Sequence, residues 1–80
     1  MNIRLRLFAM YAEVLGKSEL LLDLPSGATA GDALEDVRRR PGADRIPARP
    51  LLAVNQRYAK AETTLHDGDE VALIPPVAGG

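Results

Sequence analysis

This sequence holds few groups that make or break bonds. It has no cysteine and one histidine, His66. Without thiols there is no disulfide, no thiolate metal site and no cysteine nucleophile. A lone imidazole is too little for a histidine metal cluster, so neither a metal nor another cofactor is expected. Ser18 and Ser26 fall in turn-forming stretches, and no spacing marks His66 as a base for either. Asp67, Asp69 and Glu70 crowd into "HDGDE" but lack the ligand spacing of a calcium loop. They read as solvated acids around a turn. Arg38, Arg39 and Arg40 put positive charge at a helix C-terminus, where the macrodipole favours it. Gly27 and Gly31 in "PSGATAGD" precede a helix without a phosphate-binding pattern.

The exception is the end of the chain, "PPVAGG". Pro75 and Pro76 lack an N–H, so strand pairing is expected to fail there, and their fixed φ favours an extended exit. Six residues at ~3.3 Å each reach up to ~20 Å. Val77 and Ala78 are apolar, and Gly79 and Gly80 have no side chain at all. Such a tail fits a slot too narrow for a chain bearing Cβ atoms. What reaches the end of the slot is the α-carboxylate of Gly80. A carboxylate is inert until one oxygen becomes a leaving group, which an adenylating enzyme achieves with ATP. Gly80, supported by Gly79, is thus the expected reactive end. The chain is not expected to be an enzyme on its own.

Positioning that tail falls to the elements before it. "IRLRLF" alternates Ile3, Leu5 and Leu7 with Arg4 and Arg6, the period of a strand with one buried face. "AMYAEVLG" reads as a short helical turn with Met10, Val14 and Leu15 apolar, stopped by Gly16. "ELLLDL" is a second strand with Leu20, Leu22 and Leu24 on one side. "TAGDALEDVRRR" is the clear helix. Thr29 caps it with Asp32 three residues on, and Ala30, Ala33, Leu34 and Val37 form its apolar stripe. "ADRIPARP" reads as loop and "LLAVN" as a third strand. A turn near Asn55 leads to a short strand around Tyr58, and "EVALI" is the last strand.

One helix across one face of a small mixed sheet is an α+β plan of the β-grasp kind. The expected division is a folded domain over 1–74 and an extended tail over 75–80. The other sheet face stays open, with Phe8, Leu21, Ala53 and Ile74 expected to be partly exposed. An open apolar face on a small domain reads as a partner surface. Phe8 and Ile74, with Pro75, Pro76, Val77 and Ala78, are its expected residues.

The bulk numbers fit this plan. Eighty residues make one small domain, and a 46% hydrophobic share with 4% aromatics requires an aliphatic core. A net charge of −1 argues against a nucleic-acid partner. No run is long enough to span a membrane. "MNIRLRLFAM" lacks a signal-peptide layout, so a cytoplasmic location is expected.

The stretches "LFAMYAEVLG", "LLAVNQ" and "LHDGDEVALIPPVAGG" resemble the ubiquitin-like sulfur carriers, most nearly the small-subunit type of molybdopterin synthase. The resemblance covers nearly the whole chain. It implies a ubiquitin-like fold and a Gly80 thiocarboxylate. An adenylating enzyme of the ubiquitin-activating kind would form it with ATP and a sulfur-donating enzyme. The large catalytic subunit would then receive the tail and pass the sulfur to a cyclic pyranopterin monophosphate. The absence of cysteine agrees, because no side chain could hold sulfur as a persulfide. Ala12, just before Glu13, stands where the family often has an arginine. Carriers for thiamin, cysteine or tRNA thiolation also end in Gly-Gly, as do ubiquitin-like modifiers that join target lysines.

Overall fold

A computed structural model of the chain describes residues 1–75. Pro76, Val77, Ala78, Gly79 and Gly80 lie outside the described residues. The alternation of the first stretch is realised as β1, Asn2–Leu7, with Ile3, Leu5 and Leu7 buried and Asn2 and Arg4 exposed. A short helix α1, Ala9–Leu15, ends at Gly16 with φ 73°, a left-handed cap that glycine adopts without strain. β2, Glu19–Asp23, returns antiparallel to β1, with Ile3 opposite Leu22 and Leu5 opposite Leu20.

The main helix α2 spans Ala30–Arg38. Thr29 Oγ1 accepts from the Asp32 N–H at 3.2 Å, and Asp32 Oδ2 accepts from the Thr29 N–H at 2.9 Å. This reciprocal cap satisfies two groups that a helix start leaves bare. The next two donors are met across space, Ala30 N–H by Thr63 O at 2.9 Å and Gly31 N–H by Ala61 O at 2.8 Å. Gly31 thus has a packing role: a Cβ there would press on Ala61, 3.1 Å from its carbonyl oxygen. Ala30, Ala33, Leu34 and Val37 are all buried, as their spacing requires.

β3, Leu51–Val54, and β4, Arg57–Ala59, form a hairpin. Asn55 and Gln56 at its tip both have positive φ, 51° and 70°, the signature of the mirror-image turn whose twist suits a two-residue hairpin. β5, Glu70–Ile74, follows a tight turn in which Gly68 takes φ 86°. The sheet order is β2-β1-β5-β3-β4, with β1 and β5 parallel and the other pairs antiparallel. This mixed five-stranded sheet with one main helix is the expected β-grasp architecture.

Two local expectations need correction, over Ala43–Arg45 and at Ala53, and α1 adds a core anchor: Tyr11 is 1% exposed and Met10 47%. Tyr11 and Leu15 lie four residues apart on the inward side, whereas Met10 points outward. The stretch after Pro41 is not plain loop, because Ala43–Arg45 forms a 3-10 turn that buries Ala43 and Ile46. Ala53 is only 4% exposed, although it lies on the open face. Its methyl sits between its cross-strand partners Ala72 and Tyr58, which leave little of it uncovered.

Candidate functional site

β5 is the element that leads to the tail. It is central, clamped by β1 on one side and β3 on the other. Leu73 lies beside Leu7, and Ile74 lies opposite Leu51. Val71 and Leu73 face the core and are fully buried, so Ala72 and Ile74 belong to the opposite, open face. The strand ends at Ile74, and Pro75 is the first residue outside it.

The open face beside this exit holds a depression of about 420 Å³. Ala53 and Ala72 form its floor because a methyl is all they carry. Phe8, Tyr58 and Ile74 stand around them, with Arg6, Gln56 and Glu70 supplying the polar part. Phe8 is brought there by a sharp turn from β1 into α1. It is extended at φ −121°, and Ala9 after it takes φ 49°, a left-handed conformation unusual for a residue with a Cβ. The Phe8 ring is 40% exposed, with the Arg6 guanidinium 5.2 Å above its centroid. Arg6 also lies 3.7 Å from Glu70. A cation held between a carboxylate and a ring face is fixed in place. The depression can therefore accept apolar side chains around one oriented ion pair.

Of the three described residues expected to form the partner surface, Phe8 and Ile74 line this depression, and Pro75 follows directly without lining it. Arg6 and Tyr58 belong to it too, and sequence reasoning passed over them. The signal was available: Arg6 and Phe8 are two residues apart and share a face of the same extended stretch. Ala12 is half-buried and packs its methyl against the core.

Several of the other polar groups are occupied structurally. Asp67 Oδ1 accepts the Asn2 N–H at 2.6 Å. Asp69 accepts the Asn55 side-chain amide at 3.0 Å and the His66 N–H at 2.8 Å. The amide bond first, then the backbone bond, holds the Asp69 carboxyl below its ordinary pKa. Arg38 donates to the carbonyls of Ile46 and Pro47, and Arg40 pairs with Asp36 at 3.3 Å. His66 is exposed, with Asp69 as its one carboxylate neighbour at 3.8 Å among the described residues. No group of three or more His, Cys, Asp or Glu among the described residues could hold a metal ion. No helix among them is long and apolar enough to cross a membrane.

Comparison with known proteins agrees with this geometry. Residues 5–80 match the ThiS family. The chain is 37% identical over 83 residues to a molybdopterin synthase sulfur carrier subunit of Chlamydomonas reinhardtii, covering 100% of both chains. It is 34% identical over 80 residues to the protein of the same description from Arabidopsis thaliana, covering 99% of this chain and 83% of that one. Among solved structures it is similar to SAMP1 from Haloferax volcanii, a small archaeal modifier protein. That match has a TM-score of 0.86, 30% identity and full coverage of both chains.

Proposed function

This chain belongs to the ThiS family, and from that premise we propose that it carries sulfur for molybdopterin synthesis on the terminal carbonyl of Gly80. The Gly80 carboxylate attacks the α-phosphorus of ATP on an adenylating enzyme, and pyrophosphate leaves. Sulfur at the sulfide level, released as hydrosulfide by a donating enzyme, attacks the resulting carbonyl carbon, and AMP leaves. The product is a thiocarboxylate, one oxygen replaced by sulfur. The large catalytic subunit of the synthase takes in the tail, and the thiocarboxylate sulfur attacks a carbon of a cyclic pyranopterin monophosphate, displacing an oxygen leaving group. Water then cleaves the acyl–sulfur bond, which leaves the sulfur on the pterin and returns Gly80 to a carboxylate. In this cycle, set in the cytoplasm, the chain is a donor subunit and lends no catalytic side chain.

The observation that carries the reading is the exit of the chain from the central strand, next to the apolar depression of the open face. A partner that covers Phe8 and Ile74 has the tail leaving the sheet at its own surface. Pro75, Pro76, Val77 and Ala78 then span the distance to the reacting centre, and Gly79 passes the narrowest point. The test is an intact-mass measurement of the chain incubated with its adenylating enzyme, ATP and a sulfur donor. One oxygen replaced by sulfur on the C-terminal peptide is expected. Sulfur found on an internal residue, or none taken up, overturns the carrier reading.

The similarity to a small archaeal modifier protein favours a second reading. There the activated Gly80 carbonyl is attacked by the ε-amine of a lysine on a target, and an isopeptide bond replaces the bond to AMP. Conjugates in cell extract that vanish when Gly80 is deleted would support it. A carrier alone leaves no such ladder.

A further inference from the structure

The sheet has two edges, β2 and β4, and β2 is the longer at five residues against three. Leu7 N–H bonds to Ser18 O and Leu24 N–H to Met1 O, which places Leu20 and Leu22 in hydrogen-bonded pairs with β1. Bonded and non-bonded positions alternate in an antiparallel pair. The N–H and C=O groups of Glu19, Leu21 and Asp23 therefore point outward from the sheet. Their side chains all lie on the open face and are exposed, while Leu20 and Leu22 are buried. Leu21 is 76% exposed and takes no part in the depression beside the tail. Among the described residues no strand pairs with this edge, so an apolar residue is displayed on it, flanked by two acids.

We propose that the β2 edge is a docking site for an extended protein segment that adds as a sixth strand. That segment carries basic residues on either side of an apolar one, at alternate positions. An added strand sets its side chains directly opposite Glu19, Leu21 and Asp23 on the same face, where opposite charges and apolar pairs stabilise the pairing. A second copy of this chain is the wrong occupant. Antiparallel pairing of two β2 strands about Leu21 puts Glu19 against Asp23 twice, like charge on like charge. Asp23 is the freer of the two acids: its side chain is 92% exposed, 3.6 Å from the N-terminal ammonium. Glu19 holds Arg4 at 3.0 Å on its inner side. The inference does not depend on the sulfur chemistry.

The test titrates the isotope-labelled full chain with the peptide Thr-Lys-Thr-Leu-Thr-Lys-Thr, followed by amide NMR and hydrogen exchange. The amides along β2 should shift, those of Glu19, Leu21 and Asp23 should gain exchange protection, and those of Leu20 and Leu22, already bonded to β1, should gain little. A peptide with Glu in place of both Lys should bind roughly tenfold more weakly. Leu21→Pro removes an N–H the sheet does not use and should abolish binding. Asp23→Lys should weaken the basic peptide by a similar factor, and it serves if the proline variant does not fold. Equal binding of the two peptides, shifts confined to Phe8 and Ile74, or dimers paired through β2 would each overturn the proposal.

Discussion

Tyr11 takes its hydroxyl into the core, where the oxygen has no hydrogen-bond partner among the described residues. A buried polar group left unpaired is a standing cost. Tyr11→Phe should therefore stabilise the domain, by up to about 1 kcal/mol, raising the melting midpoint by a few degrees. A drop in the midpoint would mean that the hydroxyl is satisfied. Asp69 is the opposite case, a carboxylate supported on two sides. Its folded pKa lies below the unfolded value, so its contribution is complete above the ordinary aspartate range. That contribution fades as the pH falls below about 5. Asp69→Asn should lower stability at neutral pH and make the acid limb of the unfolding profile shallower, as read by circular dichroism. At the tail, Gly79 and Gly80 should separate by function. Gly79→Ala puts a Cβ in the proposed slot, where misplacing a reacting group by about 1 Å can cost ~100-fold in rate. It should slow transfer, while deleting Gly80 should abolish it, with little effect on melting in either variant. Thiocarboxylate formation and sulfur transfer, assayed separately, check both.

Strands and helices carry the next predictions. Ile74 closes β5 on the open face, only partly buried. Ile74→Asp should eliminate binding to the proposed large-subunit partner, since truncating an interface anchor costs upwards of ~2 kcal/mol. The circular dichroism spectrum should stay unchanged, and unfolding would show that Ile74 serves the core instead. Gly42, before the 3-10 turn, has φ 90°, and a Cβ there would collide with the Val14 carbonyl oxygen of α1. Gly42→Ala should cost about 2 kcal/mol or more from the positive φ and the collision together, visible in the urea midpoint. Nothing in "RPG" announces this demand. The seat of Gly42 on α1 comes from tertiary packing, which is also why the turn over Ala43–Arg45 escaped a reading by composition. Thr29 and Asp32 were legible because a capping box is local chemistry. The strands were legible because burial on one side writes a period of two into the sequence. Tyr11 and Ala53 were not, since the first depends on where a short helix docks and the second on the size of its neighbours.

The molecule as a whole divides its surfaces. One side of the sheet lies under α2 with the core between them, and the other presents a depression and a bare edge. The depression of the open face could be foreseen in part, from Phe8 and Ile74, because alternation assigns faces. The cation at its centre could not, because Arg6 acquires its place from Glu70 across the sheet and the Phe8 ring above the face.

The central, parallel placement of β5 also decides how the molecule bears load. Tension applied through the tail runs along β5, against a ladder on each side. Those bonds lie across the direction of pull, so they are strained together in shear and not opened one after another. A tail leaving from an edge strand would unzip under the same force. A partner that grips this terminus can draw on it or lever against it, and the domain at the other end follows as a rigid handle.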